Sequence, residues 1–85
     1  MIEMKHIIND PEGVHARPAG LFTQEASAFP CKITVTKGDK EADAKHIFAV
    51  MGLGAKYGEE IIIRIEGERE EQAAKALCKF LETNL

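Results

Sequence analysis

The spacing of apolar side chains divides the chain into seven segments. "MIEMKHII" alternates, with Ile2, Met4 and Ile8 on one parity, and predicts a strand that ends at "NDPEG". His6 shares that apolar parity and reads as a partly buried, hydrogen-bonded histidine. Pro second and Gly fourth in Asp10-Pro11-Glu12-Gly13 predict a type I turn. From Ala16 to about Ala28 the period lengthens. Ala19, Phe22, Ala26 and Phe29 follow the rhythm of a helix, and Pro30 stops it.

Residues 31–37, "CKITVTK", alternate again, with Cys31, Ile33 and Val35 on one side and Lys32, Thr34 and Thr36 on the other. "KGDK" predicts a hairpin turn into a short strand near residues 40–43. The apolar stretch "AKHIFAVMGLG", bounded by Gly52 and Gly54, predicts a helix of one to two turns. In "EEIIIRIEG", Ile61, Ile63 and Ile65 face the core while Ile62, Arg64 and Glu66 face out. "EREEQAAKALCKFLETNL" closes the sequence as a helix with acids in its first turn and Ala73, Ala74, Leu77, Phe80 and Leu81 as its buried stripe.

The order βαββαβα predicts an α+β fold, an open-faced sandwich. A four-stranded, mainly antiparallel sheet carries three helices on one face, and residues 1–85 form one domain. The other sheet face, with Lys32, Thr34, Thr36 and Arg64, is open to water.

Charge narrows the partners. Eleven basic residues are interspersed with fourteen acids, a net charge of -3, and no basic block is present to track a phosphate backbone. No nucleic-acid partner is therefore expected. No apolar run suits membrane insertion, and the charges in "MIEMKHII" break any secretory core, so a cytoplasmic location is expected. Cys31 and Cys78, far apart in apolar settings, read as buried thiols rather than a disulfide.

Candidate chemistry centres on "GVHARPAG", residues 13–20. His15 falls where turn becomes helix, and the first N–H groups of a helix lack intrahelical acceptors. The helix dipole and Arg17 both disfavour imidazolium, leaving a neutral, nucleophilic ring. A phosphoryl group on that ring carries roughly two negative charges. The N–H groups of Ala16 and Arg17 and the Arg17 guanidinium can take it. Pro18 lies within the first turn, where its missing N–H costs no intrahelical bond, and small Gly13, Ala16 and Ala19 keep the imidazole accessible. Arg17, Leu21 and Gln24 share a face beside His15. Some of Ile47, Phe48, Val50 and Met51 extend it into an apolar docking patch unless all four enter the core.

With "GVHARPAG", "ITVTKGDKEADAK", "VMGLG" and "GEEIIIRIEG" in register along the whole chain, the sequence resembles the histidine-containing phosphocarrier (HPr) family of the bacterial phosphoenolpyruvate-dependent sugar phosphotransferase system. The resemblance implies a carrier rather than an enzyme, needing no cofactor and no metal. His15 would accept a phosphoryl group at Nδ1 from phospho-enzyme I and pass it to IIA domains of sugar permeases. Arg17 would compensate the phosphate, Pro18 would complete the active-centre motif, and Leu21, Gln24, Ile47, Phe48, Met51 and Leu53 would meet the partners. A monomer is expected.

Two departures stand out. Many Gram-positive members have a kinase-phosphorylated serine at the start of the second helix, where this chain has His46, read as a plain surface residue. Gly20, early in the first helix, costs ~1 kcal/mol relative to alanine. A regulatory binding module that signals sugar or nitrogen status is the alternative function, against which the presence of His15 counts. A metal site from His6, His15, His46, Cys31 and Cys78 has no recognised ligand spacing.

Overall fold

The computed structural model describes residues 1–85. Strands β1 (Ile2–Ile7), β2 (Lys32–Lys37), β3 (Lys40–Asp43) and β4 (Glu60–Glu66) alternate with helices α1 (Ala16–Ser27), α2 (Ile47–Gly52) and α3 (Glu70–Asn84) in the expected order. The sheet runs β1-β4-β2-β3, and every neighbouring pair is antiparallel. β4 is central, setting Ile65 between Ile2 and Ile33 and Ile63 between Met4 and Val35.

That register puts Ile33, Val35, Ile61, Ile63 and Ile65 on one face, where all are buried. The helices cover them with Ala19, Phe22 and Ala26 from α1, Val50 from α2, and Ala73, Leu77 and Leu81 from α3. Phe22 and Phe80 meet at a centroid distance of 5.8 Å and join α1 to α3. Burying a ring such as Phe22 contributes about 1.5–3 kcal/mol. Of the expected α3 stripe, Ala74 and Phe80 are only partly buried. No polar or charged residue is fully buried, so the chemistry of the chain lies at its surface.

The open face carries Arg64, whose Nε donates to Glu3 at 3.0 Å and whose guanidinium also reaches Thr36 at 3.3 Å. Two residues depart from expectation. Cys31 is buried, but Cys78 lies on the exposed side of α3, one residue past Leu77 and out of its stripe. Burial of part of the thiol and the nearby Glu82 carboxylate raise the Cys78 pKa. His6 is partly buried as expected, yet its Nε2 is enclosed without a hydrogen-bond partner in the chain. No helix is long and apolar enough to cross a membrane.

Candidate functional site

The turn that carries His15 is built by local rules. The Gly13 N–H donates to the Asp10 carbonyl at 2.9 Å, closing the turn, and the Glu12 N–H donates to Asp10 Oδ1 at 2.9 Å. Gly13 takes φ +70, and the Val14 N–H then donates to the Ala55 carbonyl at 2.9 Å. From below, the Asn9 and Asp10 N–H groups both donate to the Leu85 carbonyl, which ties the turn to the end of α3. The segment behind Val14 is itself held. Lys37 Nζ donates to the Gly54 carbonyl and pairs with Glu59, and Glu59 accepts the Lys56 N–H at 2.7 Å. The Lys56 amide, then Lys37, lower the Glu59 pKa.

His15 is the N-cap of α1, with extended backbone and no side-chain hydrogen bond to the helix. The first intrahelical bond runs from the Ala19 N–H to the His15 carbonyl at 3.0 Å. The Ala16 and Arg17 N–H groups precede it and have no acceptor in the chain, while Pro18 has no N–H to leave unpaired. An anion held at such a terminus gains ~0.3–1 kcal/mol from the dipole, before any hydrogen bonds are counted. Arg17 is exposed and makes no ion pair within the chain. The imidazole side chain is 37% exposed, so a second molecule can reach it. Neither His15 nor Arg17 lines any of the four surface cavities, and the site is open rather than a cleft.

Two acids at the site were not foreseen. His15 Nε2 lies 3.3 Å from Glu12 Oε2 and 3.5 Å from Asp10 Oδ2, so both carboxylates face one edge of the ring. The signal was present in the D-P-E-G turn, which folds its first and third side chains back toward the residue that follows. The roles of the small residues also change. Gly13 and Ala19 are buried and serve backbone approach and core packing, so of the three only exposed Ala16 bears on access to the imidazole. Pro18 is buried at the start of α1.

The surface beside His15 is partly as expected. Leu21 and Gln24 are exposed on α1, and Phe48 of α2 is 83% exposed. Ile47 and Met51 pack their inner atoms against the core and show the rest. Val50 and Leu53 do not belong to this surface. At 3% and 4% exposed they are core residues, since the short helix turns Val50 inward and its C-cap folds Leu53 under it. His46 is the exposed N-cap of α2, with Nε2 3.8 Å from Asp43 Oδ2. His6, His15, His46, Cys31 and Cys78 are not gathered into one group.

Comparison with known proteins places this geometry among relatives. Residues 2–83 match the family model described as "PTS HPr component phosphorylation site". Phosphocarrier protein HPr of Lysinibacillus sphaericus is 43% identical over 72 residues, 85% of this chain and 82% of that protein. HPr-like protein Crh of Halalkalibacterium halodurans is 38% identical over 96% of this chain and 98% of its own length. The crystal structure of HPr-C-His from Thermoanaerobacter tengcongensis superposes with a TM-score of 0.92 at 42% identity, covering 98% of this chain and 93% of that one.

Proposed function

The chain belongs to the HPr family of phosphocarriers of the phosphotransferase system, and from that premise we propose that His15 accepts a phosphoryl group from phospho-enzyme I, charged from phosphoenolpyruvate, and passes it to IIA domains of sugar permeases. One observation carries the reading. A half-exposed imidazole stands at a helix start whose Ala16 and Arg17 N–H groups and Arg17 guanidinium are free to bind phosphoryl oxygens. Transfer then needs little covalent work from the protein, because positioning and charge stabilisation carry most of it.

Leu21, Gln24, Ile47, Phe48 and Met51 form the docking face in this reading. A small apolar patch beside the Arg17 guanidinium suits brief contact with a donor and several acceptors. The protein works as a cytoplasmic monomer. Incubated with enzyme I, magnesium and phosphoenolpyruvate, the wild type gains one acid-labile phosphoryl group by intact mass and phosphorus NMR, and His15→Ala gains none. An unmodified wild type, or a fully labelled His15→Ala, overturns the reading. A regulatory module is the second reading, supported by the match to an HPr-like Crh protein over nearly the whole chain. An unmodified wild type favours it.

A further inference from the structure

We propose that Asp10 and Glu12 are positioning residues for phosphoryl transfer, holding the Nε2 edge of His15 so that Nδ1 is offered to phosphorus; this rests on the reading of His15 as phosphoryl acceptor. Both carboxylates meet the ring at the same nitrogen, Glu12 Oε2 at 3.3 Å and Asp10 Oδ2 at 3.5 Å. Two anions repel a lone pair on that edge and attract an N–H. The proton of the neutral ring is therefore kept on Nε2 and the lone pair on Nδ1.

The acids are placed by the turn itself. Asp10 cannot swing freely, because its other oxygen, Oδ1, accepts the Glu12 N–H at 2.9 Å. Its backbone carbonyl accepts the Gly13 N–H, and its own N–H donates to the Leu85 carbonyl at 3.2 Å. Glu12 is the more exposed partner, with 74% of its side chain open against 23% for Asp10. Asp10 is thus the fixed anchor, and Glu12 adds charge.

In the transfer step the Nδ1 lone pair forms the N–P bond. The bond from phosphorus to the donor's leaving atom breaks, and its electron pair departs with the donor. Nε2 keeps its proton, so the ring gains positive charge as the N–P bond forms. The two carboxylates face that charge and stabilise it, as a carboxylate does for a catalytic imidazole elsewhere. On transfer to an acceptor the N–P electrons return to Nδ1, and the ring leaves neutral with its proton still on Nε2. No proton has to move in either direction.

The test uses Asp10→Asn, Glu12→Gln and the double variant, which keep shape and remove charge. Nitrogen-15 NMR of neutral His15 in wild type gives a pyrrole-type Nε2 and a pyridine-type Nδ1. In the double variant the two signals move toward the mixture of a free histidine side chain. At saturating phospho-enzyme I, where docking drops out, each single variant transfers about threefold more slowly and the double about tenfold. An unchanged tautomer ratio, or a changed ratio with unchanged transfer, overturns the proposal while leaving the carrier reading intact. A wild type that takes up no phosphoryl group sinks the carrier reading instead.

Discussion

A Cβ added at Gly13 would lie 2.6 Å from the Ala55 carbonyl oxygen and 3.0 Å from the Lys56 Cα, and the backbone there has φ +70. Both neighbours are main chain, so neither can step aside, and the conformation itself is strained for a side chain. Gly13→Ala is expected to cost about 2 kcal/mol or more, read as a lower denaturant midpoint at unchanged slope, and to slow phosphorylation of His15. An unchanged midpoint would show that the close approach is not needed. Residues whose placement is local were legible in the sequence. His15, Arg17 and Pro18 could be placed because turn chemistry and helix starts are read within a few positions. Gly13 could not be read correctly, since its reason is Ala55, far along the chain. Nor could the carboxylate contacts of His15, which depend on how Asp10 and Glu12 are aimed. Cys78 was misread because its flanking sequence is apolar although its position on α3 is not.

At the scale of elements, α1 and α2 pack at Gly20, where an added Cβ would meet the terminal methyl of Ile47 at 3.4 Å. That is ordinary contact with the flexible end of a side chain. Alanine fits, and the helix gains about 0.5–1 kcal/mol. Gly20→Ala is therefore expected to raise Tm by about 4 °C. A lowered Tm in a calorimetric scan would mean that Ile47 cannot yield. Period-two strands and the longer helices were legible because their apolar positions repeat several times. The six residues of α2 contain too few repeats to separate Val50, which goes in, from Phe48, which points out. Leu53 lies beyond the helix, where no periodicity applies.

For the whole molecule, the order of elements was legible, and so was the antiparallel character of the sheet. The strand order β1-β4-β2-β3 was not, because pairing between β1 and β4 joins strands separated by α1, β2, β3 and α2. The same long-range closure acts at His15. The Asn9 and Asp10 N–H groups end on the Leu85 carbonyl, so the turn that carries His15 is anchored to the C-cap of α3. Amide exchange at these two positions should track opening of the final turn of α3 and be no faster than exchange of that turn itself. Exchange at loop rates in NMR, with α3 still protected, would contradict that. An event at the end of α3 can then act as a remote brake. Anything that unwinds the last turn of α3 would loosen Asp10 and so, in the carrier reading, weaken a histidine that α3 itself never touches.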